Sequence, residues 1–144
     1  MKLVLDASVV LKWFFSQRPA EADTDAALAL LKAVGRGSVS LVQPPHFIAE
    51  VAAVLAREMP EEAQRSLRDL LDIEMQLVAD AHVMARAVDL ATRHKQHLFD
   101  TLYHALALET PGAVLVTADA IYLRKAVGEG QIAGLRAFSL AVGV

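Results

Sequence analysis

The chain of 144 residues contains no cysteine, so it has neither a disulfide framework nor a metal site built from thiolates. Aromatic residues make up only 6% of the sequence, and 14 basic residues face 17 acidic ones, for a net charge of −3. This charge balance argues against a protein that coats nucleic acid through a general basic surface. It is still compatible with an enzyme that meets nucleic acid through metal ions and a local basic rim.

Long apolar runs are also missing, although 55% of the residues are hydrophobic. Lys12 and Glu50 interrupt the two best candidates, and neither run reaches the roughly 20 residues needed to span a bilayer. Asp6 falls where a signal peptide would have its apolar centre, so we expect no such peptide and a cytoplasmic location. The surplus apolar surface predicts a dense core together with a subunit or partner interface.

Short apolar runs alternate with amphipathic stretches of helical length, which predicts an α/β fold around a mainly parallel sheet. With no internal repeat or linker, we expect one domain over residues 1–144. The predicted strands are Lys2–Asp6, Ser40–Val42, Gln76–Val78, Ala113–Val116 and an edge strand at Leu135–Phe138. The predicted helices are Ser8–Phe15, Ala20–Val34, His46–Glu58, Pro60–Asp72, Asp80–His94, Asp100–Glu109 and Ala120–Val127.

Four carboxylates, Asp6, Glu50, Asp100 and Asp119, each lie in an otherwise apolar stretch. Carboxylates are rarely buried unless they are paired or bind a metal ion. Two such charges about 6 Å apart repel by roughly 3 kcal/mol at an effective dielectric near 20. If the fold gathers all four, a hard divalent cation such as Mg²⁺ or Mn²⁺ is the natural counter-charge, and metal-dependent phosphodiester hydrolysis is the reaction that suits it.

Each acid also has a purely structural interpretation. Asp100 and Asp119 suit the first position of a helix, and Asp6 can bond to the turn that follows it. Glu50 is hardest to explain in this way, although a buried salt bridge to an arginine remains open.

The histidines add weaker signals. His46 precedes Glu50 by four residues and His104 follows Asp100 by four, so each pair can share a helix face. Without cysteine or a compact histidine pair, zinc is a poor candidate. We expect His104 to hydrogen-bond behind the metal ligands.

Residues that would contact a substrate are harder to choose. Lys12, six residues after Asp6, is a candidate for an RNA phosphate contact, against the alternative of an ordinary solvated lysine. Either Arg65 with Arg68 or Arg124 with Lys125 would serve as a basic rim. The aromatic run from Trp13 to Phe15 cannot bury all its members on one helix face, so an exposed member would suit a partner surface.

The four acidic stretches together resemble the motifs of a known family. They lie at Leu3–Trp13, Pro45–Val51, Phe99–Ala107 and Leu115–Ala120, and they follow the family's order over essentially the whole chain. The sequence resembles the PIN-domain ribonucleases, particularly the VapC-type toxins of bacterial toxin–antitoxin pairs. One departure is Ala53, which stands where many relatives have asparagine.

The resemblance implies a three-layer α/β/α sandwich around a parallel sheet of about five strands. It implies that Asp6, Glu50, Asp100 and Asp119 hold Mg²⁺ or Mn²⁺, with Ser8 and Thr117 orienting the ligands beside them. It further implies an endoribonuclease, a homodimer, and a small antitoxin that covers the active-site groove. The expected substrate is single-stranded or looped RNA, because unpaired segments expose the phosphate to a small site.

Two other functions stay open at this point. A non-catalytic PIN-like binding or regulatory module would keep the fold, although it would be expected to lose at least one of the four acids. An aspartyl phosphotransfer domain is a weaker alternative, because Asp6-Ala7-Ser8 lacks the second aspartate that such phosphatases use.

Overall fold

The chain folds into five strands that alternate with helices, and the computed structural model describes residues 1–144. The strands are β1 (Lys2–Leu5), β2 (Ser40–Gln43), β3 (Met75–Leu77), β4 (Val114–Thr117) and β5 (Ile132–Gly134). The helices are α1 (Ala7–Phe14), α2 (Thr24–Gly35), α3 (His46–Glu58), α4 (Ala63–Leu71), α5 (Ala81–His94), α6 (Leu98–Leu108), α7 (Ala120–Ala126) and α8 (Leu135–Val142). A short 3-10 helix, Val127–Glu129, follows α7.

All five strands pair in parallel, in the order β3-β2-β1-β4-β5. The central strand β1 has no exposed surface at Leu3, Val4 or Leu5, so both faces of the sheet are covered. Helices α1 and α2 lead from β1 to β2, whereas α5 and α6 lead back from β3 to β4; right-handed crossovers therefore put the two pairs on opposite faces. This confirms the three-layer α/β/α sandwich.

Layer contacts agree with this arrangement. Helix α6 packs on β1, β2 and β4 and against α5, while α1 and α8 both contact β4 and α2 packs against each of them. The buried apolar side chains form one continuous core, to which the helices contribute Leu30, Leu55, Leu90 and Leu106. The core fixes the strands, and with them the edge of the sheet where the strands end.

The prediction of an edge strand at Leu135–Phe138 is wrong. The fifth strand lies earlier, at Ile132–Gly134, and pairs with β4. The segment from Leu135 onward forms α8, and its buried residues Leu135, Phe138 and Ser139 have the i, i+3, i+4 spacing of a helix face. A window of four residues is too short to distinguish a strand period from a helical one.

Three helices begin two or more residues away from their predicted starts. Helix α4 begins at Ala63 and not at Pro60, because a turn occupies residues 60–62. Helix α2 begins at Thr24 and not at Ala20, and a turn occupies the residues between. Helix α6 begins at Leu98, two residues before Asp100, because His97 caps it: its Nδ1 accepts a hydrogen bond from the Phe99 amide at 3.0 Å. Asp100 therefore lies in the first turn of α6 and not at its start.

Candidate metal centre at the carboxyl edge of the sheet

Asp6 and Asp119 follow neighbouring parallel strands and lie at the same edge of the sheet. Leu5 pairs with Val116, and the Asp6 amide still donates to the Val116 carbonyl at 3.1 Å. At β1 and β4 the strand order reverses, because β2 and β3 lie on one side and β5 on the other. In open α/β sheets this switch point leaves a crevice at the carboxyl ends of the strands, which is the usual place for a ligand.

The carboxylate of Asp6 is held through one oxygen. Its Oδ2 accepts hydrogen bonds from the Ser8 hydroxyl, from the Ser8 amide at 3.3 Å and more weakly from the Thr117 hydroxyl at 3.4 Å. The Ser8 hydroxyl also accepts from the Ala118 amide at 3.1 Å, which joins the start of α1 to the loop after β4. Ser8 and Thr117 therefore contact the first acid as expected. Oδ1 of Asp6 accepts no hydrogen bond from the protein.

Asp119 caps α7, which agrees with the structural interpretation of this residue. Its Oδ1 accepts from the amides of Ile121 and Tyr122, both at 3.0 Å, and its own amide donates to the Thr117 hydroxyl at 3.0 Å. Thr117 thus bridges Asp119 and Asp6. The capping bonds occupy a single oxygen, and Oδ2 has no partner in the protein.

Glu50 projects from α3 toward α6. Its Oε1 accepts a hydrogen bond from the Tyr103 hydroxyl at 2.8 Å and lies 3.0 Å from His46 Nε2. His46 Nε2 also contacts the Phe99 carbonyl at 2.8 Å, so this nitrogen has two oxygen acceptors and must bear the proton. His46 Nδ1 is buried without a partner, a cost of about 1–3 kcal/mol that the contacts of Nε2 and the ring must offset. These bonds tie the second and third acidic motifs together.

Asp100 is held by a residue that sequence reasoning missed. Gln96 Nε2 donates to Asp100 Oδ2 at 2.8 Å, and Gln96 Oε1 accepts from Lys125 Nζ at 2.9 Å. Because an ammonium group can only donate, Lys125 fixes which end of the amide faces Asp100. No sequence signal marks Gln96, which lies in a polar turn. Tyr103, the donor to Glu50, was missed because an apolar helix predicts core packing for it.

The four acids at the edge of the sheet have no lysine or arginine partner to balance their charge. The pKa of Asp6 is raised to about 6, chiefly by burial, with a smaller contribution from the negative charges of Asp100 and Glu50 and with the hydrogen bonds from Ser8 acting in the opposite direction. Burial and the charges of Glu50, Asp6 and Asp100 likewise raise the pKa of Tyr103. Asp6, Asp100 and Asp119 form no salt bridge, and Glu50 pairs only with His46.

All four acids therefore share one arrangement. Each gives one oxygen to the protein and keeps the other without a protein partner, and none is neutralised by lysine or arginine. As the side chains stand, no three histidine, aspartate or glutamate residues lie close enough to share one ion. The donor set still fits a hard divalent cation, because it offers only carboxylate oxygens in a region that already disfavours unpaired negative charge.

His104 lies apart from the four acids. It is fully buried in α6, where Nε2 contacts the Gly130 carbonyl and Nδ1 the Tyr122 hydroxyl, both at 2.8 Å. Since a carbonyl only accepts, Nε2 donates and Nδ1 accepts from the tyrosine. Burial lowers the pKa of His104, in keeping with a neutral ring. The histidine braces α6 against α7 and touches no carboxylate of the edge.

Lys12 is buried in an internal contact. It is therefore neither an ordinary solvated lysine nor exposed for contact with an RNA phosphate. Its Nζ donates to the Ala22 carbonyl at 2.7 Å and pairs with Glu21 at 3.3 Å. This contact holds the turn before α2, which explains the late start of that helix. The neighbouring aromatic run is packed inward, with Trp13 and Phe15 buried and Phe14 half-buried.

The fold and the edge define a parallel α/β protein with an acidic centre suited to a divalent cation. A family model described as PIN domain matches residues 3–128, which is most of the chain, and the chain belongs to the PIN-domain family. The resemblance seen in the sequence is confirmed at that level. No curated protein matches the sequence. PIN domains are in general nucleases that bind divalent metal ions, which assigns the chain to that broad class of hydrolases. None of its helices combines the length and hydropathy needed to cross a membrane.

Proposed function

We propose that this protein is an endoribonuclease that depends on Mg²⁺ or Mn²⁺ and hydrolyses phosphodiester bonds in unpaired RNA. The observation on which the proposal depends is the arrangement of the four acids at the switch point, each anchored by one oxygen and open at the other. An acid kept for stability alone would be expected to have a cationic partner. Here Asp6 has only hydroxyl and amide donors, and its charged neighbours are carboxylates.

In this proposal Asp6, Asp100 and Asp119 would hold the cation. When bound, the cation would activate water and neutralise charge that develops on the phosphate. Ser8 and Thr117 keep Asp6 oriented, and Gln96 does the same for Asp100. Glu50, fixed by Tyr103 and His46, either binds the metal or directs its second oxygen toward the attacking water.

The basic rim of the proposed site is the α7 pair and not the α4 pair. Lys125 is joined to Asp100 through the Gln96 amide, and Arg124 precedes it on α7. Arg65 and Arg68 project from α4, whose main packing partner is α3. We therefore assign phosphate contacts to the first pair and none to Lys12.

The biological role that we propose is that of the toxin of a type II toxin–antitoxin pair, on the strength of the resemblance to VapC-type toxins. The partners would be a small antitoxin and a second copy of the chain, in the cytoplasm. Exposed apolar residues support the existence of a partner surface: Met84 and Val88 lie four residues apart on α5 and are 46% and 51% exposed.

The test of the nuclease is cleavage of a labelled single-stranded RNA in Mg²⁺ or Mn²⁺ by the wild type and by Asp6→Asn. We expect at least a hundredfold loss for the variant, together with weaker Mn²⁺ binding measured by electron paramagnetic resonance. Asp69→Asn is the matched control, because Asp69 is an exposed acid of α4 whose side chain makes no hydrogen bond or salt bridge. Equal cleavage by wild type and Asp6→Asn would refute the assignment of the site.

The alternatives have distinct outcomes. A non-catalytic module would fold normally but would not bind Mg²⁺ or Mn²⁺ and would not cleave RNA. A phosphotransfer domain would instead take up acid-labile phosphate from a small phosphodonor. The toxin role is tested by growth arrest on expression of the wild type but not of Asp6→Asn, relieved by the product of an adjacent reading frame.

A further inference from the structure

Phe99 stands out among the aromatic residues of the chain. The sequence has five phenylalanines, two tyrosines and one tryptophan, and Phe99 alone among them is exposed, to 47%. It directly precedes Asp100, one of the four acids. An apolar ring of this size, left open beside a charged centre, forgoes about half of the burial free energy that packing would give it.

The position of Phe99 is nevertheless fixed. Its amide donates to His97 Nδ1 at 3.0 Å, and its carbonyl accepts from His46 Nε2 at 2.8 Å. Its ring lies against both imidazoles, with centroid distances of 4.8 Å to His97 and 5.2 Å to His46. The His46 ring in turn packs on Tyr103 at 4.7 Å. The hydrogen bonds thus fix the Phe99 backbone, and the two imidazole rings contact its side chain.

Asp100 is also linked to basic residues. Gln96 joins Asp100 to the exposed Lys125, and Lys95 is exposed next to it in the chain. Asp100 therefore directly follows an open aromatic ring in the chain and is linked through Gln96 to an ammonium group. A ligand that offers a flat π-face and an anionic backbone within one repeating unit satisfies both, and a nucleotide is such a ligand.

We propose that Phe99, braced by His46 and His97, is a stacking platform for one unpaired base of the RNA, adjacent to the phosphate that is cut. This inference rests on the proposed nuclease function and adds a binding subsite to it. Stacking on an aromatic side chain requires the base to be out of a duplex, so the platform selects single-stranded or looped RNA. It tolerates any base, because every base has a π-face.

The kinetic test uses substitutions at Phe99 that separate the aromatic face from apolar volume. Phe99→Leu is expected to raise KM for a short single-stranded RNA roughly tenfold and to leave kcat within about twofold of the wild type. Phe99→Tyr keeps the aromatic face and is expected to have a KM close to that of the wild type. Leu140→Ala is the control, because Leu140 is 75% exposed on α8, whose main packing partners are α2, β5 and β4. Circular dichroism and thermal unfolding establish that each variant folds.

An abasic scan of the RNA identifies the base involved. Removing the base at one position should raise KM for the wild type as much as Phe99→Leu does, and should have no further effect on that variant. Base removal that affects both proteins equally at every position would overturn the platform. Unchanged RNA kinetics in Phe99→Leu would overturn it as well, and weaker binding of a protein partner by that variant would reassign the ring to a protein interface.

A binding measurement in EDTA separates this inference from the nuclease proposal. The probe is a short RNA with 2-aminopurine at the identified position, or at each position in turn if the wild type cleaves nothing. We expect fluorescence quenching with the wild type and Phe99→Tyr, and roughly tenfold weaker binding without quenching for Phe99→Leu. If this binding result is obtained and the wild type does not cleave RNA in Mg²⁺ or Mn²⁺, the platform is upheld and the nuclease is rejected. Cleavage with no difference between the proteins would reject the platform and uphold the nuclease.

Discussion

Two acidic regions of this molecule are built in opposite ways. At the carboxyl edge of the sheet, Asp6 has Asp100 and Glu50 as its charged neighbours, and burial with their repulsion raises its pKa to about 6. In the short 3-10 helix after α7, Glu129 pairs with Arg93 and with His94 Nε2 at 2.9 Å, and these contacts lower its pKa to about 2. The same chemical group is disfavoured as an anion in one place and favoured in the other.

The difference separates acids that stabilise the fold from acids that are available for binding. The Arg93 network, with Asp89 at 2.9 Å, links α5 to the segment before β5. Each charged group of this network has a partner of opposite charge in the protein. The edge leaves one oxygen of each acid without a protein partner. Since stability alone would favour pairing, the unpaired edge indicates a site that completes its charge balance with a ligand.

The sharpest contrast between the two regions is expected in activity. Asp100→Asn should lower the rate of RNA cleavage at least a hundredfold, because it removes the charge of a proposed metal ligand. Glu129→Gln should leave the rate within about twofold, since Glu129 contacts none of the four acids. The measurement is initial rate at saturating Mn²⁺. A comparable loss in both variants would mean that activity follows global stability and not the edge.

A smaller effect is expected from the residue that orients Asp100. Gln96→Leu removes the amide that donates to Asp100 and accepts from Lys125, and we expect roughly tenfold weaker Mn²⁺ affinity. Gln64→Leu, at an exposed position of α4, is the control. Titration of Mn²⁺ by electron paramagnetic resonance reports the affinity directly. An unchanged affinity would show that the Gln96 bond is incidental to the site.

The sequence predicts the fold well where a segment is long enough to show the period of its apolar residues. The parallel sheet follows from the alternation of apolar runs and amphipathic stretches, and helix α3 lies at its predicted bounds, His46–Glu58. The error at Leu135–Phe138 arose because four residues cannot reveal a helical period. The start of α6 was misplaced because histidine is an uncommon cap, and only the structure reveals the bond from Phe99 to His97.

The site divides in the same way between what local pattern predicts and what tertiary contacts decide. A lone acid in an apolar run is visible in sequence, and the topology brings Asp6 and Asp119 to adjacent strand ends. The partners of these acids are not visible. Tyr103 meets Glu50 only because α6 lies beside α3, and Lys125 meets Gln96 only because α7 lies beside the turn before α6. The buried contact of Lys12 with Ala22 depends on the path of one turn.

The stability of the metal-free protein provides a further contrast. In EDTA at pH 7, Asp6→Asn should raise the free energy of unfolding by about 1 kcal/mol or more, because it removes a buried charge that two carboxylates repel. The asparagine oxygen can still accept from Ser8. Urea denaturation with an unchanged m-value measures the effect. A loss of stability would mean that the charge of Asp6 contributes to folding and that the edge is not under electrostatic strain.

The weakest effect is expected at Glu129, and it should depend on pH. Because the pKa of Glu129 is lowered from 4.5 to about 2, its contribution to stability is complete above its unfolded pKa and is lost as pH falls from about 4.5 to about 2. Glu129→Gln should therefore be less stable than the wild type by about 1 kcal/mol at pH 7, and equally stable near pH 2. Arg93 is 47% exposed, so 0.5 M salt should reduce the difference. Urea titrations across this pH range test the prediction. A stability difference independent of pH would assign the effect of Glu129 to packing, and the electrostatic contrast between Glu129 and Asp6 would no longer hold.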